Sequence, residues 1–251
     1  AMKYFEIDLE RMCLSKAKYE RLKQFYYFFR SEAFVKTPDG CFLDAVLKES
    51  DSYAVSVSNN LKTKILDQAP RLAESIVASK NVGIDTDSAF KYSLYFCFRL
   101  IFVLAAESRG VLDIALNGKY YAMSLRKMGS DLKDAWTDGA EWASASGKTY
   151  ETLMKLFEVI DSGDKTIGLC GFKTNAYAEC DKKVFGKIRV PDSVMNELLL
   201  ELACDTTKSG KRLFVDYKRI SPEHIGGIFE GVLEFRPHKT ANGRIVLEGG
   251  A

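Results

Sequence analysis

Apolar residues recur along this chain mostly at three- and four-residue intervals, the spacing that lines one face of a helix. From about Ser15 to Phe34, Tyr19, Leu22, Phe25, Tyr26 and Phe29 fall on one stripe, and Thr37-Pro38-Asp39-Gly40 then forms a turn. Phe42 to Ala78 reads as a long amphipathic stretch. A break is expected near Pro70, because proline removes a backbone donor and crowds the preceding turn. Ser50 or Asp51 is expected to cap a helix within that stretch.

The most apolar segment is opened by Thr86 or Asp87 and carries Phe90, Leu94, Phe98, Ile101, Phe102 and Ala105 before Gly110 stops it. Being apolar on nearly every face, it reads as the helix around which the others pack. Its Arg99 therefore needs a buried or half-buried acid. Its longest apolar run, Leu94 to Ala106, is 13 residues and contains Arg99. That is too short and too charged to span a bilayer, so it reads as a buried helix of a soluble, cytoplasmic protein.

Further helices are predicted at about Lys119–Asp134 and Thr149–Asp161, joined by a polar 139–148 loop. Around 167–187 the period fades, which predicts loop with short strands. Pro191-Asp192-Ser193 starts a helix through Leu202, Leu213-Phe214-Val215 is at most a short strand, and Ser221-Pro222-Glu223 opens a last helix. Ile225, Ile228, Phe229, Val232 and Leu233 are its expected buried stripe. Beyond Pro237 the chain is polar, with Asn242-Gly243 suited to a hairpin ahead of a frayed end.

These elements predict a mainly α fold, a multi-helix bundle with a central apolar helix (about 87–109) and at most a few short strands. Residues 1–236 read as a single helical domain with a sub-boundary near 165–190, and 237–251 as a polar C-terminal tail.

Composition supports a folded chain: 47% of the 251 residues are hydrophobic and the formal net charge is +2. That balance does not demand a polyanionic partner, but it permits a local basic face. Ala1-Met2 reads as the remnant of a tag before a natural start. The six cysteines are scattered without a Cys-x-x-Cys pair, and only two histidines occur, His224 and His238. A zinc site of finger or ribbon type has no spacing to support it, so free, mostly buried thiols are expected.

Gly147-Lys148-Thr149 resembles the end of a phosphate-binding loop, but Trp142 stands where the first glycine is required and no strand precedes it. A helix start capped by Thr149 is the expectation. Asp192, Asp216 and Lys218 have the residue types of a Mg²⁺-dependent nuclease, whose chemistry needs two acids sharing a metal on adjacent strands. Asp192, however, opens a helix. Gly226, Gly227 and Gly231 interleave with an apolar helical stripe, unlike a dinucleotide loop, which predicts close packing against another helix. Glu223 and His224 have the residue types of an acid–base pair, yet a capped helix start is the ordinary role of that position.

Two stretches concentrate positive charge. Arg11, Lys16, Lys18, Arg21 and Lys23 crowd the first helix against Glu20, and Lys208, Lys211, Arg212, Lys218 and Arg219 crowd the segment before the last helix against Asp216. Solvated faces carry such runs routinely. On a protein that handles DNA, the second group supplies the candidates for phosphate contacts, which are independent of base sequence and weakened by salt.

Three segments in order carry a family resemblance. They are Phe25-Tyr26-Tyr27-Phe28-Phe29-Arg30 with Phe34 beyond it; Tyr95 to Gly110, similar to "LYRLLFLLYAEDRGLL" with Arg99, Phe102, Glu107, Arg109 and Gly110 in matching places; and Ile225 to Glu234, similar to "LGSIYEGLLE". Together they resemble the helical region that precedes the methyltransferase domain in type IIG-like restriction–modification enzymes and related phage-defence adenine methylases, over about residues 20–236. Gly227 replaces the usual serine and Phe229 the usual tyrosine, and Gly171 to Ala178 only loosely resemble that family's "YNGGLF".

The resemblance implies a non-catalytic helical spacer of a DNA (adenine-N6) methyltransferase, with a methyltransferase domain following the tail. In such a parent, S-adenosylmethionine is the cofactor and an Asn-Pro-Pro-Tyr-type motif receives the flipped adenine. Neither that motif nor a Gly-rich cofactor loop occurs in residues 1–251, so the chain reads as a fragment with no catalytic, cofactor or metal residues of its own. Its implied partners are DNA, through the parent, and the adjacent domain, with no membrane. The alternatives are the Asp192/Asp216/Lys218 nuclease and a purely protein-binding helical module.

Overall fold

A 23-residue helix, Thr86–Ser108, forms the spine of the larger of two units. The computed structural model describes residue 9 and residues 18–79, 81–112, 118–139, 142, 146–172, 178–207 and 210–249. The units comprise residues 1–55 and 56–251. Among the described residues the chain is mainly α, with nine helices and three two-stranded antiparallel hairpins, as the apolar periodicity predicts.

In the first unit, α1 (Lys18–Phe29) is followed by a 3-10 turn (Ser31–Phe34) and by the Thr37–Gly40 turn, where Gly40 has φ +98°. Phe25 stacks on Phe29 at 5.0 Å and Phe28 meets Phe42 edge-on at 5.9 Å. Tyr19, Leu22, Tyr26 and Phe29 of the expected stripe are nevertheless exposed.

Helix α2 (Phe42–Ala78) contains the unit boundary and runs straight through Pro70, against the break expected there and the caps expected at Ser50 or Asp51. Packing explains its continuity. Leu61, Ile65 and Ala69 before the proline and Leu72, Ala73 and Ile76 after it are all fully buried, and this burial outweighs the lost backbone hydrogen bond.

The Thr86–Ser108 helix is α3. Asp85, one residue before the expected start, caps it by accepting from the Ser88 backbone N–H at 2.8 Å. Gly110, at φ +72°, ends it as expected. By length and composition this helix could cross a membrane, yet 72% of its most apolar window is buried inside the protein. Around it stand α4 (Gly118–Tyr121), α5 (Leu125–Thr137), α6 (Lys148–Ser162), α7 (Ala178–Lys183), α8 (Asp192–Ala203) and α9 (Pro222–Leu233). The 119–134 segment expected as one helix is two, because Ser124 caps α5 by accepting from Lys127 N–H at 3.1 Å. Strand β1 (Gly163–Asp164) pairs with β2 (Leu169–Cys170), which lies in the stretch expected as loop with short strands, and α7 and a 3-10 turn (Phe185–Lys187) follow there.

Strands β3 (Cys204–Thr206) and β4 (Arg212–Phe214) pair next, and a 3-10 turn (Tyr217–Arg219) leads to α9. Ser221 caps α9 by accepting from His224 N–H at 3.3 Å, with Pro222 in the first turn. Beyond Pro237 the chain forms a hairpin of β5 (Arg236–Lys239) with β6 (Ile245–Glu248), anchored where Ile245 N–H donates to Glu74 Oε1 at 2.7 Å.

Two kinds of contact fasten the bundle. The first is a polar seam along α2. Asn60, Lys64, Gln68 and Arg71, at helical spacing, face Asp205 and Glu197. Lys64 Nζ also reaches the carbonyls of Glu201 (2.9 Å) and Cys204 (2.6 Å), placing a cation at the negative end of α8. The second is an aromatic knot on α3, where Phe96 meets Tyr150 (5.8 Å), Phe157 (5.5 Å) and Phe185 (5.3 Å).

Of the three glycines expected to bring helices together, Gly231 meets another helix and two do not. A Cβ on Gly226 or Gly227 would meet open space, and one on Gly231 would meet the Lys62 side chain. A further close helix approach occurs at Gly129 of α5, where a Cβ would lie 3.1 Å from Ala203 of α8 and 3.3 Å from Phe214. Of the described cysteines, Cys97, Cys180 and Cys204 are buried.

Arg99 has the acidic partners its burial requires. It is 3% exposed; Nη1 binds both Asp181 oxygens (2.8 and 3.0 Å), Nη2 binds Asp161 (2.7 Å), and the guanidinium lies 4.2 Å from the Phe157 ring. One side chain thus ties α3 to α6 and α7. Removing one partner of a buried pair costs about 3 kcal/mol, and a domain of this size loses roughly 2–4 °C per kcal/mol. Arg99→Met is therefore expected to lower the melting temperature by about 6–12 °C; an unchanged midpoint in thermal denaturation contradicts the pairing.

Candidate functional site

The candidate phosphate-binding segment lies between α8 and α9, so its side chains depend on the β3–β4 hairpin and the turn after it. Residues alternate between the two faces of a strand. Lys211 and Leu213 accordingly point outward and are exposed, while Arg212 and Phe214 turn in toward α5. The Arg212 guanidinium lies 4.7 Å from the Trp136 ring and pairs with Glu201 at 2.7 Å. Its side chain is 12% exposed. It holds the hairpin to α5 and α8 and faces the protein.

Phe214 is flanked by two further cations of α5. Arg126 lies 3.7 Å from its ring and Lys133 5.3 Å, and the two are two helical turns apart. Arg126 is exposed, and only Lys127 beside it marks this position in the sequence. The aromatic partner that makes it a feature is far away in the chain.

After β4, Asp216 caps the short turn by accepting from Lys218 N–H at 3.2 Å and pairs with Arg219 Nε at 3.0 Å. Tyr217 is buried and donates to Leu202 O at 2.8 Å, and Arg109, just past the end of α3, donates to Ile220 O. Lys218 and Arg219 are exposed. Among the described residues Lys211 and Lys218 have no ion-pair partner. Lys208 lies outside the described residues. Of the N-terminal group, Arg11 and Lys16 also lie outside them, and Lys23 pairs with Glu20 at 3.0 Å.

Beside this segment is a cavity of about 400 Å³, lined in part by Leu104, Glu107, Arg126, Phe214, Asp216 and Tyr217. Glu107 is 4% exposed and fully engaged. Oε1 accepts from Tyr120 OH (2.9 Å) and Leu125 N–H (2.9 Å), and Oε2 accepts from Arg126 N–H (2.8 Å). A carboxylate from α3 thereby satisfies the first donors of α5 and faces its positive end. Burial pushes the Glu107 pKa above its ordinary value, against the pull of those three donors.

The nuclease trio is not brought together. Asp192 is buried and serves the start of α6, accepting from the Thr149 backbone N–H at 2.9 Å and from the Ser146 hydroxyl. Burial opposes its charge, but these hydrogen bonds hold its pKa below the ordinary carboxylate value. Thr149 is thus not the expected cap; its hydroxyl donates to Asn196 Oδ1 at 2.6 Å. Asp216 is occupied at its own turn. No cluster of three or more metal-ligating side chains occurs among the described residues. The His224 ring contacts Ser221 Oγ at 3.0 Å, within the α9 cap.

With the geometry established, comparison with protein-family models, curated proteins and solved structures gives no match. The class defined by these observations is a mainly α protein with an exposed basic segment on a strand pair and the turn that follows it.

The raised pKa of Glu107 means that the folded state holds this proton more tightly than the unfolded chain. Its contribution favours folding below the ordinary value near 4.5 and is lost as pH rises through the shifted value. Chemical denaturation of wild type and Glu107→Gln between about pH 4 and 7 is expected to show wild type losing stability relative to the variant as pH rises. Parallel profiles contradict burial of an ionisable cap.

Proposed function

We propose that this chain is a non-catalytic helical scaffold of a restriction–modification DNA adenine methyltransferase, holding the methyltransferase domain in place and touching DNA backbone. The observation that carries the DNA contact is the outward presentation of Lys211, Lys218 and Arg219, beside Arg126, on a base fixed by Tyr217, Arg109 and Arg212. Cations on a pre-positioned base lose less freedom on meeting phosphates than cations on a mobile tail.

The scaffold role is supported by the order and spacing of the three family-like segments and by the fate of their charges. Arg99 and Glu107 both lie in the second segment, and both are spent on tying helices together. A packed helical body transmits position better than a flexible linker does. In this reading S-adenosylmethionine and the flipped adenine belong to the neighbouring domain of a cytoplasmic enzyme. The chain itself supplies placement and an electrostatic hold on DNA.

The test is binding of a non-specific DNA duplex across a salt series by wild type and Lys211→Glu/Lys218→Glu. Each lost phosphate contact removes roughly 0.9 from the slope of log K against log salt. The variant is expected to bind roughly tenfold more weakly at low salt, with a slope shallower by about 2. Equal binding by both proteins, or no salt-dependent binding by wild type, overturns the proposal.

A further inference from the structure

The cavity of about 400 Å³ at the end of α3 is lined by groups of both charges and by apolar side chains. Arg126 is its cation. The guanidinium lies 3.7 Å from the Phe214 ring, and an arginine held against an aromatic face keeps its N–H donors open at the edge. Among the described residues this guanidinium has no ion-pair or hydrogen-bond partner. Ser108 lines the cavity from the exposed end of α3, which places its hydroxyl at the mouth.

Glu107 and Asp216 supply acceptors. Glu107 Oε2 accepts a single hydrogen bond, from Arg126 N–H at 2.8 Å. Asp216 Oδ1 accepts from Lys218 N–H at 3.2 Å, and Oδ2 pairs with Arg219 Nε at 3.0 Å. A carboxylate has about four lone-pair sites, so both acids keep room for a further donor. Leu104 and Phe214 add apolar surface. These groups together call for an anion to meet Arg126, a donor to meet the acids, and a flat apolar body between them. Inorganic phosphate alone sets its charge against both acids, a metal ion sets its charge against Arg126, and a fatty chain leaves the polar groups unsatisfied. A nucleotide has all three parts.

We propose that this cavity binds a single nucleotide whose base carries an amino group, with the phosphate on Arg126 and the amino group on Glu107 and Asp216. Its volume falls at the low end of the range for small-molecule sites, about 300–1,000 Å³, which suits one nucleotide. A free nucleotide and an unpaired base of a nucleic-acid strand present the same chemistry to these residues. The inference stands on the cavity's own groups and needs no contact of Lys211 or Lys218 with DNA.

Calorimetric titration tests this, with AMP, UMP, ribose 5-phosphate, phenylalanine, oligo(dA) and oligo(dT) added to wild type, Arg126→Gln and Ser108→Phe. Both substituted residues are exposed, so neither change disturbs the core. Wild type is expected to bind AMP roughly tenfold more tightly than UMP, which offers a carbonyl in place of the amino group, or than ribose 5-phosphate. Arg126→Gln is expected to weaken AMP roughly tenfold, through loss of a charge-assisted hydrogen bond, and Ser108→Phe to abolish its binding by filling the mouth. A preference for oligo(dA) over oligo(dT) that Ser108→Phe removes identifies a strand as the source; AMP binding without that preference identifies the free nucleotide. Equal binding of AMP, UMP and ribose 5-phosphate, tighter binding of phenylalanine, AMP binding that survives both substitutions, or no binding of AMP together with no preference for oligo(dA) overturns the proposal. Such a failure leaves the salt-dependent duplex binding of Lys211 and Lys218 standing, and loss of that duplex binding leaves the nucleotide site standing.

Discussion

The guanidinium of Arg99, buried in the most apolar helix of the chain, is the contact on which the arrangement of the larger unit turns. It reaches Asp161 at the end of α6 and Asp181 in α7 while lying against Phe157. The two acids are about a quarter exposed, so the pair keeps part of its hydration while the arginine gives up its own. Such a pair adds little net stability over an apolar replacement of the same shape, yet it fixes geometry, because an arginine stranded without partners is costly. Two helical turns along α3, Glu107 does the same with opposite charge, receiving the first donors of α5. The spine helix therefore orders its neighbours through one cation and one anion, each satisfied at one geometry.

From that spine the basic segment inherits its position. Arg109, just past the end of α3, holds Ile220, and Tyr217 is buried against α8. The β3–β4 hairpin is pressed to α5 by Arg212 under Trp136 and by Phe214 between Arg126 and Lys133. Strand alternation turns Arg212 inward, where it builds the platform, and Lys211 outward, while Lys218 and Arg219 are exposed on the 3-10 turn that follows. The polar seam between α2 and α8, centred on Lys64, fixes the other side of the same platform.

What was legible in the sequence follows from the range of the interactions involved. The extent of α3, its stop at Gly110, the cap at Ser221 and the need of Arg99 for acids depend on periodicity, local backbone chemistry and the cost of burying charge. All of these can be read within a few residues. The continuity of α2 through Pro70 could not be read that way, because burial against other elements outweighs a local penalty. Asp192 suits the start of its own helix by type, yet its carboxylate serves α6, more than forty residues earlier in the chain. Arg212 stands among basic neighbours in the sequence, yet strand parity separates it from Lys211, a signal present in the alternation of residues 211–214. Gly129 gave no sign, because a helix approach is a property of two segments rather than one.

The central claim is that α3, with its two engaged charges, is the last element to open. Native-state hydrogen exchange tests it most directly. The account predicts that amides from Ser93 to Ala105 exchange only through global unfolding and carry the highest protection in the larger unit, with those of α5 and α6 close behind. Faster exchange in α3 than in α9 or in the C-terminal hairpin contradicts it.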